Sequence, residues 1–135
     1  MGNDFTSAWL MYSIFHSGRD LTGANISDII VVADYSNHAI ITYDELSEGL
    51  NILHQLRLIT FKDKHIIITE LFKGWWTLKF ANKKRQFVQK EISDIQRYIS
   101  QLKLSISKTT FENLIPKSDY EKAIDNYLNR TNDNT

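Results

Sequence analysis

The stretch TYDELSEGLNILHQLRLITFKDKHIIIT, residues 42–69, decides the fold that we predict for this 135-residue chain. Thr42 is followed three residues later by Glu45, the pattern of a capping box, in which each side chain accepts a hydrogen bond from the other residue's backbone N–H. Leucines then recur at steps of four and three residues, so one face of a helix over residues 42–58 is apolar. These leucines are Leu46, Leu50, Leu53 and Leu56. The opposite face is largely polar and carries Asp44, Ser47, Glu48, Asn51 and Gln55.

A β-hairpin is predicted directly after this helix, over residues 60–69. Phe61 precedes a charged tip at residues 62–64, and the β-branched run of residues 66–68 follows it. Two short β-prone segments around a polar tip are typical of a hairpin.

Two further helices are predicted before residue 42. Apolar side chains in residues 5–15 recur at helical steps, and Gly18 is placed to end that helix. Residues 28–36 contain an Ile-Ile-Val-Val run that suits a buried strand as well as a helix. We favour a helix with Ser27 as its N-cap, because Asp28 would then lie in the first turn and Ala33 would continue the apolar face.

The C-terminal half is predicted to be helical as well. Apolar residues between Leu71 and Leu102 recur mostly at helical steps, so we expect a long helix, continuous or broken near Asn82. Its later part carries a coiled-coil-like stripe, which predicts a dimer interface unless the C-terminal helix folds back over it. The stripe consists of Val88, Ile92, Ile95, Ile99 and Leu102, and the C-terminal helix carries Tyr120, Ile124, Tyr127 and Leu128.

These elements predict one compact domain in three parts. Residues 1–69 hold an N-terminal helix and the capped helix with its hairpin. Residues 70–128 hold the long helix and a C-terminal helix that packs on it or forms a dimer. Residues 129–135 are expected to be a disordered tail.

Composition excludes several classes of site. The chain has no cysteine, which excludes disulfides and thiolate metal sites. It has no glycine-rich phosphate loop or nucleophile elbow, and His16, His54 and His65 lack ligand spacing. Asp34 and His38 could share a helix face, a geometry suited to a metal pair or a general base, but His38 is expected to lie in the turn and to hydrogen-bond locally. We therefore predict no enzyme activity, cofactor or metal. We also predict a cytoplasmic protein, because no stretch approaches the roughly 18 apolar residues of a membrane span.

Charge is unevenly distributed although the formal net charge is zero. Residues 1–69 carry a balance of −4 and residues 70–108 a balance of +6. The densest basic patch is Lys83, Lys84 and Arg85. It is interpreted either as a contact for nucleic acid or an acidic protein, or as a solvated helix face, and the two halves could also attract one another across a dimer.

The doublet Trp75 and Trp76 follows the predicted hairpin. Adjacent residues on a helix point about 100° apart, so we do not expect both side chains to enter one core. We expect one to pack at the junction of hairpin and long helix, and the other to cover a dimer contact or line a small-molecule pocket.

The order of helix, turn, capped helix and hairpin, over residues 20–75, resembles a winged helix-turn-helix. The likeness is to bacterial transcriptional regulators of the MarR and PadR type. These share two leucines, then glycine-leucine-isoleucine before the wing, and leucine-threonine after it. The residues that carry it are Leu50, Leu53, Leu56, Leu58, Ile59, Ile66, Ile67, Ile68, Thr69, Glu70 and Gly74. Where those regulators commonly have glycine before the leucine-isoleucine pair, this chain has Arg57.

The resemblance implies a mainly α fold with a small β-hairpin wing and long C-terminal helices that form a homodimer. It also implies a regulator that binds double-stranded DNA, with the third helix in the major groove. Expected contacts to base edges are Tyr43, Ser47, Asn51 and Gln55. Expected contacts to phosphates are Lys62, Lys64 and His65 on the wing, with Lys83, Lys84 and Arg85 on the basic helix.

The acids at the start of the third helix support an alternative. Asp44, Glu45 and Glu48 suit the positive end of the helix dipole, yet they would repel phosphate groups. The alternative is a winged-helix protein-interaction module that does not bind DNA and docks an acidic or apolar partner through the basic helix.

Overall fold

The structure, a computed structural model, describes residues 4–18, 23–80, 87–104 and 114–132. Its described part is mainly helical with a small two-stranded antiparallel hairpin, which confirms the predicted mainly α class with a hairpin. The elements are α1 (Asp4–Ser17), α2 (Ile26–Asn37), α3 (Tyr43–Gln55), β1 (Ile59–Lys62), β2 (His65–Ile68), α4 (Glu70–Phe80), α5 (Val88–Lys103) and α6 (Lys117–Asn132). None of the described helices is both long and apolar enough to span a membrane.

Helix α1 lies at the centre of the core, where α2, α3 and α5 pack against it. Its residues 7–14 are all buried. The indole Nε1 of Trp9 donates to the carbonyl of Ala33 at 2.9 Å, which ties α1 to α2. The contact with α3 is close, because a Cβ atom at Gly49 would come within 2.6 Å of Leu10 Cδ2.

The ambiguous run of residues 29–32 forms part of α2, as we predicted. The helix begins earlier than expected, and its N-cap is Asn25, not Ser27. The Asn25 side chain accepts a hydrogen bond from the Asp28 N–H at 2.8 Å, which satisfies one of the unpaired donors of the first turn.

Helix α3 confirms the predicted capping box and buried leucines, but it ends at Gln55 rather than at residue 58. The Thr42 hydroxyl accepts from the Glu45 N–H at 3.1 Å, and the Glu45 carboxylate accepts from the Thr42 N–H at 2.9 Å. Leu46, Leu50, Leu53 and Leu56 are all buried.

The end of α3 is a left-handed turn at Arg57, whose φ is 63°. The Arg57 N–H donates to the His54 carbonyl and the Leu58 N–H to the Leu53 carbonyl, both at 3.0 Å. These two bonds are those of a Schellman motif, in which a left-handed residue closes the helix.

The hairpin pairs Ile59 with Ile68 and Lys62 with His65. Its two turn residues, Asp63 and Lys64, have φ values of 50° and 66°, as the tight type I′ turn requires. A third, shorter segment joins this hairpin, because Ala24 forms a β-bridge with Ile66.

The C-terminal half departs from the prediction in what each helix packs against. Within residues 70–103 there are two described helices, and α5 starts anew at the extended residue Phe87. The isoleucines of the predicted dimer stripe, Ile92, Ile95 and Ile99, are fully buried, and α5 packs on α1 of the same chain. Helix α6 packs on α2 rather than on the long helix, and it extends to Asn132, past the predicted start of the tail.

Candidate interaction surface

The outward face of α3 carries an acidic row, which we define as Asp44 and Glu48. Both residues are exposed, and their spacing of four places them one above the other on the helix. Gln55 lies half-buried on the same side of the helix, and the half-buried Glu45 is held in the capping box. The helix therefore presents carboxylates to solvent.

Three of the four side chains predicted to reach base edges are covered or hydrogen-bonded within the chain. Ser47 and Asn51 are each only 5% exposed, so our assignment of them to the outward face was wrong. Tyr43 is half-buried, and its hydroxyl donates to the Ile115 carbonyl at 2.7 Å. Tyr43 thus contacts the segment that leads into α6, and local spacing does not reveal this contact.

The start of α3 is covered by α6 and the residues before it. The Tyr120 hydroxyl donates to the Ile41 carbonyl at 2.6 Å, and the Tyr120 ring lies 5.7 Å from that of Tyr43. Burial raises the pKa of Tyr120, and the nearby charge of Glu45 raises it further. Further along α6, the Tyr127 hydroxyl donates to the carboxylate of Asp34, and this hydrogen bond, with some burial, raises the pKa of Tyr127.

The hairpin tip brings three predicted phosphate contacts together. Lys62 and Lys64 are exposed there, and His65 is half-buried, with its Nδ1 3.0 Å from the Asp63 carbonyl oxygen. The other three, Lys83, Lys84 and Arg85, lie outside the described residues. Of their basic neighbours, Lys90 pairs with the buried Asp94 at 3.3 Å.

Both tryptophans are half-buried against the same core, each near Phe72, so the expected division of the two side chains was wrong. The Trp75 ring stacks on Tyr98 with a centroid distance of 4.5 Å and an interplanar angle of 10°, which fills the junction of α4 and α5. Trp76 packs 4.3 Å from Phe15 and lines a cleft of about 430 Å³ between α1, β2 and α4. The cleft is lined by Phe15, Gly18, Ile68, Lys73, Trp76 and Thr77. Apart from the doublet itself, no sequence pattern indicated this cleft.

Asp34 and His38 do not form a metal pair. His38 closes α2 in a left-handed conformation with φ of 54°, and its N–H donates to the Asp34 carbonyl at 2.7 Å. Across the described ranges, no three His, Asp or Glu side chains are grouped so that they could hold a metal ion. No protein-family model, curated protein or solved structure matches this chain.

Proposed function

We propose that this chain is a winged-helix module that binds a protein partner rather than DNA. The winged-helix fold is supported by the element order and by the Ala24 bridge to Ile66, which joins a third segment of the chain to the hairpin. Arg57 supports it as well. This residue stands where the regulators that the sequence resembles have glycine, and its positive φ is the conformation that glycine adopts without strain.

The acidic row on α3 is the observation that carries the functional proposal. A helix that enters the major groove lies between two phosphate backbones, and neutralising those phosphates requires Lys or Arg. Here the outward face offers Asp44 and Glu48 instead, and the polar residues Ser47 and Asn51 are buried. Of the side chains expected to read bases, Gln55 alone stays on the outward side of α3, and the exposed charges on that side are negative.

A partner that docks on α3 should present basic groups to the acidic row, because complementary charges across an interface favour encounter and fix orientation. The experiment is a titration of the full chain with a fluorescent oligo-arginine peptide. The row variant carries Asp44→Asn and Glu48→Gln. The control carries Asp28→Asn and Asp63→Asn, which changes the net charge equally at two other exposed acids.

We expect the wild-type chain and the control to bind the peptide, with an affinity that falls as salt is added. The row variant should bind about tenfold more weakly, a difference of about 1.4 kcal/mol. Equal losses in the two variants would mean that only overall charge matters, and the proposal would then be wrong.

A DNA-binding regulator is the second candidate, and the hairpin tip is what favours it. Lys62 and Lys64 are exposed on a tight turn, where a wing would touch a phosphate backbone. If that candidate holds, replacing both lysines with alanine weakens binding to all DNA sequences and flattens its dependence on salt.

A further inference from the structure

Helix α6 is held to the rest of the fold by a small apolar contact and by tyrosine hydroxyls. Among the described side chains of α6, only that of Ala123, a small residue, is fully buried. The hydroxyls of Tyr120 and Tyr127 donate to the Ile41 carbonyl and to the Asp34 carboxylate, respectively. By contrast, α5 buries three isoleucines completely. Elements with few buried apolar contacts open at a lower free-energy cost than the core, so α6 should open before α5 does.

Opening of α6 would uncover an aromatic side chain beside the acidic row. The ring of Tyr43, which directly precedes Asp44, is half-buried and lies 5.7 Å from the ring of Tyr120. The Tyr43 hydroxyl also donates to the carbonyl of Ile115, just before α6, at 2.7 Å. While α6 is docked, these contacts keep part of Tyr43 from other molecules.

A docking surface made of the acidic row alone would be weak. An ion pair between two exposed side chains strengthens binding by about fivefold at most, so two such pairs leave the dissociation constant far above the micromolar range. Stable interfaces add a central anchor, and tyrosine is one of the side chains that most often serve as one. Tyr43 adjoins the row and can be this anchor once α6 has moved away.

We propose that α6 is a releasable cover, and that the basic partner of the acidic row binds tightly only when α6 has left Tyr43. This inference rests on the proposed docking of that partner on α3, and it adds the regulation of the same site. The docked form is the resting form. The affinity of the partner is then reduced by the fraction of molecules in which α6 is open, so a change that raises this fraction raises the affinity in proportion.

Hydrogen exchange of the full chain, followed amide by amide by NMR, tests whether α6 opens on its own. Amides of α6 should exchange faster than those of α5. Ile95→Val weakens the core, which stays folded when α6 alone opens. It should therefore speed exchange in α5 by about fivefold and leave exchange in α6 unchanged. If Ile95→Val speeds both helices alike, α6 opens only when the whole chain unfolds, and the proposal is wrong.

The same measurement tests whether the tyrosine hydroxyls hold α6. Tyr120→Phe combined with Tyr127→Phe removes both hydrogen bonds and keeps both rings, so it should speed exchange in α6 by about tenfold or more. Tyr35→Phe is the matched control and should change nothing, because Tyr35 is 81% exposed. Unchanged exchange in α6 of the double variant would overturn the role given to these hydroxyls and the proposal with it.

Titration with two fluorescent peptides tests the link to binding. One is the oligo-arginine peptide, and the other alternates arginine with leucine and so offers apolar groups to Tyr43. Oligo-arginine should bind the wild-type chain and the double tyrosine variant equally, because the acidic row is exposed in both. The arginine–leucine peptide should bind the double variant about tenfold more tightly than the wild type. Adding Tyr43→Ala to the double variant should remove this gain.

The outcomes separate the two proposals. If oligo-arginine binds through the row but the arginine–leucine peptide binds the wild type and the double variant equally, the cover does not regulate the site, and this inference alone fails. A gain that persists with Tyr43→Ala contradicts it too. If neither peptide binds the wild-type chain, the proposed docking on α3 is itself wrong, and the inference falls with it.

Discussion

Arg57 holds a backbone conformation that only glycine adopts without cost. Its φ of 63° closes α3, and the Thr69 hydroxyl donates to its carbonyl at 2.6 Å, so the hairpin exit is tied to this turn. A left-handed conformation costs a residue with a Cβ atom roughly 1–2 kcal/mol. The turn is thus kept despite local strain.

We predict that Arg57→Gly raises the free energy of unfolding by about 1 kcal/mol, because the strain is removed while part of the gain is offset by the greater entropy of unfolded glycine. Urea denaturation measures it. Arg57→Ala is the control and should give no such gain, since alanine keeps the Cβ atom. A stabilisation of equal size in both variants would show that the arginine side chain, not the backbone, causes the strain.

Ser47 marks the limit of what residue spacing could predict. The apolar side of α3 follows from the leucine positions alone. The burial of Ser47 and Asn51 depends on which segments pack beside the helix, and Tyr43 of the same helix shows that such a contact can come from Ile115, 72 residues later in the chain. Local periodicity holds no information on such a contact.

Ser47→Ala should stabilise the protein by about 1 kcal/mol, because within the described residues the buried Ser47 hydroxyl has no hydrogen-bond partner. Thermal unfolding followed by circular dichroism measures the change. Ser93→Ala, at an exposed position of α5, serves as the control and should be close to neutral. A loss of stability in Ser47→Ala would mean that its hydroxyl is satisfied after all.

At the scale of elements, the positions of the helices were easier to predict from the sequence than the contacts between them. The capping box, the leucine face and the β-prone segments are local features, and α3 and the hairpin were predicted from them. The stripe of α5 was also identified, yet its cover is α1 from the other end of the chain. An apolar stripe predicts that the stripe is buried, but it does not predict which apolar surface buries it.

Helix α6 is held on α2 partly by the hydrogen bond from Tyr127 to Asp34, and this gives its docking a pH dependence. The folded-state pKa of Tyr127 is raised by this bond, so the stabilisation is fully present below the ordinary tyrosine pKa of about 10 and is lost as pH rises through the raised value. Tyr127→Phe should lower stability by about 1 kcal/mol at neutral pH.

The measurement is urea denaturation of both proteins between neutral and strongly alkaline pH. The difference between wild type and Tyr127→Phe should vanish at the alkaline end. Tyr35→Phe is the matched control, because Tyr35 lies on the same helix as Asp34 and is largely exposed. A wild-type advantage that persists above the raised pKa would contradict the role given to this bond.

At the scale of the whole molecule, some charges of the acidic and basic segments of the sequence pair with each other inside one chain. Lys103 and Ser100 of the basic segment donate to Asp4 of the acidic segment at 2.8 and 2.7 Å. Burial alone would raise the pKa of Asp4, but these hydrogen bonds outweigh it and hold that pKa below its ordinary value. The acidic row on α3 stays exposed, which is why the proposed protein contact is placed there.

The most direct test of this account is a titration of random-sequence duplex DNA at low ionic strength with the wild-type chain and with Glu48→Gln. This substitution removes one charge of the acidic row and keeps the side-chain shape. Low salt maximises any attraction between Lys62, Lys64 and phosphate. The account predicts that neither protein binds the duplex. Measurable binding by the wild-type chain that becomes tighter in Glu48→Gln would contradict it and establish α3 as a DNA-facing helix.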